Sequence, residues 1–284
     1  MNEKKLNILA TVIVILLILA VVAFYLYDVM VVKTPYTKNL YRTIILVAFL
    51  LLSLFRRFRS FGRTSLEIYE KQYKEELGFA FSHKPMLRTK LLCACRLYNE
   101  SNYRKALKYL YDLLKEAEFE RDAVPVLLFI ALCYTDVGVY EEAAGAYYEL
   151  LKLDHNHAQA NNNLGMVLAR MGEYKSAVKH YDRSIELKPD NYSAYSNRAN
   201  CYFRMLNYDM AIQDAEKALE IKNNGVEAAT LLTVIYALRN EEDKKKHYYH
   251  IAITAGRKPE ELNEAIEYFL NENNIPGNDE DEEE

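Results

Sequence analysis

The sequence predicts an all-α protein in two parts: a helical membrane hairpin at the front, then a solenoid of stacked helix pairs closed by a capping helix. Three observations predict it. Two apolar runs stand in the first 59 residues, a pattern recurs every 34 residues through the middle, and apolar spacing inside each copy is helical.

Residues 1–59 form the predicted anchor. Its first span, residues 6–27, contains LNILATVIVILLILAVVAFYL, 21 residues without a charge. About 20 apolar residues carry a helix across a bilayer core. A cleaved signal peptide, for which Val21 and Ala23 would make a small-residue site, has a shorter apolar region of about 7–15 residues. The second run, residues 40–55, is shorter and carries Arg42, which a snorkelling side chain accommodates. KTPYTKN, with Pro35, turns the chain between them. Arg56, Arg57, Arg59 and Arg63 follow at once, and Lys4 and Lys5 precede the first span. Basic flanks stay on the cytoplasmic side. The expectation is a two-pass cell-membrane protein with its large domain in the cytoplasm; a second run that does not enter the membrane would put that domain outside. Phe58 and Phe61 between the arginines also suit a helix lying on anionic lipid.

Residues 60–86 are the predicted linker. Leu66, Tyr69, Tyr73 and Leu77 share one face of a helix expected over residues 65–81, which would cover the first repeat or lie on the membrane.

The solenoid is expected over residues 87–259, in windows 87–120, 124–157, 158–191, 192–225 and a degenerate 226–259. The eighth position reads Ala94, Ala131, Gly165, Ala199, Thr233, and the eleventh Leu97, Tyr134, Leu168, Tyr202, Tyr236. The seventeenth reads Tyr103, Tyr140, Tyr174, Tyr208, then Glu242; the twentieth reads Ala106, Ala143, Ala177, Ala211, then Lys245. Small residues let two antiparallel helices approach, and tyrosine fills the gap beside a turn near position 15, where Gly138 and Gly172 stand. One such pair cannot bury its apolar face alone, so the copies stack. Residues 260–275, following Pro259, carry Leu262, Ile266, Phe269 and Leu270 on one face and form the expected cap. Residues 276–284 are an acidic, solvated tail.

This pattern resembles the tetratricopeptide repeat, best over residues 158–191, where Leu164, Gly165, Gly172, Tyr174, Ala177, Tyr181 and Pro189 fall on the family's signature. The resemblance implies a right-handed superhelix whose first helices line a concave, peptide- or protein-binding face. The residues it assigns there are Asn162, Asn163, Met166 and Arg170 in the third copy and Ser196, Asn197, Asn200, Phe203 and Arg204 in the fourth. Arg88, Cys95 and Asn99 take such places in the first. Asn amides both donate and accept toward an extended backbone, and Arg forks onto carboxylates. YSNRANCY, residues 195–202, is similar to co-chaperones that clamp a terminal carboxylate. Asn197 matches their central Asn, but Asn162, Met166, Glu227 and Leu231 stand where the other clamp residues would be, so that ligand is not expected.

Charge and chemistry exclude other classes. The net charge of −4 comes from the all-acidic residues 279–284, while residues 1–92 hold 14 basic against 6 acidic side chains. The positive charge therefore sits beside the predicted membrane spans, not along the solenoid, and nucleic acid is not an expected partner. Cys93, Cys95, Cys133 and Cys201 have no disulfide or metal spacing. No phosphate loop, nucleophile elbow or His-Glu-x-x-His is present. Neither His155 with His157 nor His247 with His250 has a third ligand nearby in sequence. No enzyme, cofactor, metal or small-molecule substrate is expected. The functional reading is a membrane-anchored scaffold that recruits a protein or extended peptide, in a chain whose Lys-, Asn-, Ile- and Tyr-rich usage is of a bacterial kind. A chaperone-like assembly or secretion factor, or a subunit of a membrane enzyme complex, are the alternatives.

Overall fold

The computed structural model describes residues 66–273. The predicted spans at residues 6–27 and 40–55, Arg56, Arg57, Arg59 and Arg63, and the acidic tail lie outside the described residues. Among the described residues no helix is long and apolar enough to cross a membrane. The chain divides after Gln72 into two units; residues 66–72 are helical, and the second unit begins at Tyr73.

Eleven helices longer than one turn follow: α1 (Pro85–Asn99), α2 (Tyr103–Lys115), α3 (Glu120–Val137), α4 (Tyr140–Leu153), α5 (Ala158–Arg170) and α6 (Tyr174–Leu187), then α7 (Tyr192–Arg204), α8 (Tyr208–Ile221), α9 (Val226–Leu238), α10 (Glu242–Thr254) and α11 (Pro259–Asn273). No strand is present among the described residues. The odd helices α1 to α9 are the first members of five antiparallel pairs, and each helix from α1 to α9 packs on the next. α11 departs from that order and packs chiefly on α9.

Each first helix ends in the same way. Ser101, Gly138, Gly172, Leu206 and Asn240 all have positive φ, between 55° and 83°. The preceding carbonyls are closed by a Schellman motif. In the third pair the N–H of Glu173 reaches the Leu168 carbonyl at 2.9 Å, and that of Gly172 reaches the Ala169 carbonyl at 3.1 Å. The fourth pair repeats it with Asn207 on Tyr202 and Leu206 on Phe203, both at 2.9 Å. All five pairs satisfy the same orphan carbonyls at the same offset, even where serine, leucine or asparagine replaces the glycine that the left-handed region favours.

Behind the turns, Ala94, Ala131, Ala199 and Thr233 are fully buried, as are Ala106, Ala143, Ala177 and Ala211. Thr233 loses no hydrogen bond on burial, because its hydroxyl donates to the Ala229 carbonyl at 2.7 Å. Gly165 is required by contact: a Cβ there would lie 2.8 Å from the buried Tyr181 ring. Residues 121–123, an insertion by the 34-residue count, are absorbed as an extra N-terminal turn of α3.

The helix expected over residues 65–81 is interrupted. A single turn at Lys74–Leu77 stops at Gly78, whose φ of 44° and ψ of −128° only glycine adopts readily. The chain then folds over the first two pairs, burying Leu77, Ala80 and Phe81.

Candidate peptide-binding face

The first helices α1, α3, α5, α7 and α9 line one face, and it is covered at both ends. At the start, residues 73–84 lie on α1 and α3. The Tyr73 hydroxyl donates to Asn99 at 2.7 Å, and its ring meets Phe129 edge-on at 4.9 Å. The Phe81 N–H donates to buried Asp122 at 2.6 Å, and Arg88 donates to the Leu77 and Ala80 carbonyls. Arg88, Cys95 and Asn99 are therefore used inside the protein: two hold the covering segment and the cysteine is fully buried. At the far end, α11 buries Leu262 and Ile266, and Phe269 reaches Phe203 of α7 at 5.0 Å.

The uncovered stretch is made by α5 and α7. On α5, Asn162, Asn163 and Met166 are half-buried and Arg170 is exposed at the helix end. The Asn162 amide donates to Asn163 at 3.2 Å, while its buried oxygen has no hydrogen-bond partner. On α7, Asn197 is half-buried and Asn200 is exposed. Asn200 donates to the Ser196 carbonyl at 3.0 Å, leaving its amide oxygen toward solvent. Two assigned residues lie deeper: Ser196, 3 % exposed, supports the face from behind, and Phe203, 6 % exposed, turns toward α11. Arg204 is exposed, with its guanidinium 5.6 Å from the Phe269 ring centroid.

A pocket of about 250 Å³ opens where α7, α9 and α11 meet. Asn200, Phe203 and Arg204 contribute one wall; Glu227, Thr230, Leu231, Val234, Arg257, Ala265 and Phe269 complete it. Arg257 donates to Thr230 at 3.3 Å and pairs with Glu261 at 3.5 Å. Glu227 accepts from Tyr192 at 2.9 Å. Its carboxyl is held below its usual value, first by its own backbone N–H, then by Tyr192, Lys222 and Arg257. Thr230, Val234, Arg257 and Ala265 carry no signal in the repeat pattern, because they meet only when α11 leaves the repeat order.

α7 is held in place by a charge triad that repeat periodicity also missed. Arg198 of α7 forks onto Asp214 of α8 with two 2.7 Å bonds and reaches Asp182 of α6 at 2.5 Å. Burial works against its charge, and the two carboxylates more than offset this, holding the guanidinium proton more firmly than usual. Because Arg198 points inward, Asn197 and Asn200 are fixed on the outer side of the same helix.

The other chemistry-bearing residues have structural roles. His157 caps α5, its Nδ1 accepting from the Ala160 N–H at 3.2 Å, and burial lowers its pKa. All four cysteines are free thiols; burial pushes Cys133 and Cys201 up to about 12 and Cys95 higher still. Such thiols are poor nucleophiles at neutral pH. Among the described residues no three His, Cys, Asp or Glu side chains come together as a metal site.

The tetratricopeptide repeat model matches residues 156–224, which span α5 to α8. No curated protein matches the chain. Solved structures do. PilF of Pseudomonas aeruginosa superposes with a TM-score of 0.56 at 16 % identity, covering 66 % of this chain and 85 % of its own. MamA of Desulfovibrio magneticus RS-1 gives 0.52 at 19 %, covering 63 % and 96 %. YrrB, described as a TPR protein with an unusual peptide-binding site, gives 0.52 at 19 %, covering 63 % and 91 %. At such identities the likeness is one of fold. The family model identifies tetratricopeptide repeats over residues 156–224, and the superpositions agree with an all-helical repeat solenoid among the described residues.

Proposed function

We propose that the chain is a membrane-tethered scaffold that holds a short extended segment of a partner protein on the uncovered face of α5 and α7. The observation that supports this is the contrast along the first-helix face. Its ends are apolar and covered by the chain itself, while its middle presents the amides of Asn162, Asn163, Asn197 and Asn200 and the guanidinium of Arg170. The buried Asn162 oxygen has no hydrogen-bond partner, and an unpaired buried acceptor costs about 1–3 kcal/mol, which a rotation of this amide toward a bound backbone N–H would recover. An extended backbone supplies such donors at regular spacing. Neighbouring helices lie about 8–10 Å apart, so the open stretch is about 20 Å wide and accepts about six extended residues at roughly 3.3 Å each.

The tether is the charge-free run at residues 6–27 with the arginines that follow residue 55, which favour a cytoplasmic solenoid. A photo-crosslinking residue tests the face. Placed at Asn163 or Asn197 in the full chain it should capture a partner that the same residue at Tyr109, exposed on α2, does not. Equal capture from both surfaces would refute the assignment.

A further inference from the structure

The open face does not run off the end of the solenoid. It stops at the pocket that α11 walls, and the pocket is mixed in character. Phe203, Leu231, Val234 and Phe269 supply apolar surface, and Arg204 and Arg257 stand at its lining with Glu227. Its volume of about 250 Å³ falls below the roughly 300–1,000 Å³ of small-molecule sites. That is room for one large side chain and not for a cofactor.

The charges at the rim are not equivalent. Arg257 is engaged by Glu261 and Thr230, and Glu227 by Tyr192. Among the described residues Arg204 has a ring contact with Phe269 and no ion pair with a carboxylate. A guanidinium stacked on a ring keeps its edge free to fork onto a carboxylate. The apolar pocket and this cation are adjacent, so an occupant satisfies both with neighbouring residues.

We propose that the pocket is the specificity pocket of the peptide face, taking one large apolar side chain from an extended segment whose adjacent residue is acidic. This rests on the peptide-binding reading above and adds which peptides bind. α11 is then more than a solvent-facing lid: Ala265 and Phe269 build the wall that ends the groove and fixes the register of the segment on α5 and α7.

The test is to pan a display library of random hexapeptides with Gly-Ser flanks against the full chain in detergent. Enriched peptides should carry Phe, Leu, Ile or Met next to Asp or Glu. Synthetic versions should lose about tenfold in affinity when the apolar residue becomes Ala. Thr230→Phe fills the pocket from its rim, and Ala265→Leu does so from α11; either, with helicity unchanged by circular dichroism, should abolish the apolar preference. Arg204→Glu should replace the acidic preference with a basic one. Binders that depend on Asn163 and Asn197 but show no apolar–acidic pair overturn the pocket and leave the peptide face standing. The same holds if the pair survives both filling variants. If the library yields no binder, both readings fall.

Discussion

Arg198 gives the sharpest test of how α7 is positioned. At the seventh place of the other windows stand Cys93, Ile130, Leu164 and Leu232, so a charge has replaced a small or apolar core residue. Its side chain is 16 % exposed and that of Asp214 5 %, whereas Asp182 at 45 % can be solvated. Arg198→Leu strands the Asp214 carboxylate in the core, and breaking a buried pair by removing one partner costs about 3–5 kcal/mol. Asp214→Ala strands the guanidinium but leaves it Asp182, so it should cost less, about 2 kcal/mol. The double variant Arg198→Leu, Asp214→Ala puts an aliphatic residue against alanine, as in the second pair, where Ile130 and Ala146 are both buried. It should lie within about 1 kcal/mol of the parent, since apolar replacement of a buried pair is often neutral. Urea titration followed by circular dichroism measures all four proteins. Single-variant losses that simply add in the double variant would refute the coupling, and with it the claim that the triad is why Arg198 is tolerated.

Three further expectations use the same assays. Gly145 and Gly165 are both inside helices, but a Cβ at Gly145 meets nothing within 4 Å, while one at Gly165 meets the Tyr181 ring. Gly145→Ala should therefore stabilise by about 1 kcal/mol and Gly165→Ala should destabilise by about 1 kcal/mol net; equal signs would refute the packing argument. Burial lowers the pKa of both His157 and His180, so the folded state keeps them neutral while the unfolded chain takes up protons near 6.5. Their stability contribution is complete above the unfolded value of about 6.5 and is lost as pH falls from there through their lower folded values, so the melting temperature should drop between pH 7 and 5.5, less so in His157→Asn with His180→Gln; an unchanged slope in that variant would sink the assignment. A cytoplasm-active reporter fused after residue 284 should be active and one fused after residue 38 silent; the reverse pattern would place the solenoid outside.

Much of the repeat was legible because its constraints are local. The small residues at positions 8 and 20 and the turn near position 15 follow from two helices touching, and they recur even where letters change. What was hidden depends on contacts distant in sequence. Leu206 gives no sign of a left-handed turn, yet its φ is 60° because the Schellman bonds around it are set by the pair. Gly78 ends a helix whose apolar spacing alone ran on to residue 81. Arg198 reads as a surface residue until Asp182 and Asp214 are brought beside it.

The covered ends of the face are nonetheless written in the sequence. A groove-facing position that meets water should be polar, as Asn162, Asn163, Asn197 and Asn200 are. The equivalent places hold Leu91 and Leu92 in the first window, Leu128 and Phe129 in the second, and Leu231 and Val234 in the fifth. All six are buried, because residues 73–84 and α11 supply the apolar partners that a free groove would lack. An exposed apolar strip of that length would be costly to leave wet. Polarity along the first-helix face therefore separates the stretches packed against the chain itself from the polar stretch proposed to hold a partner. That stretch is α5 and α7, within the residues 156–224 that match the tetratricopeptide repeat model.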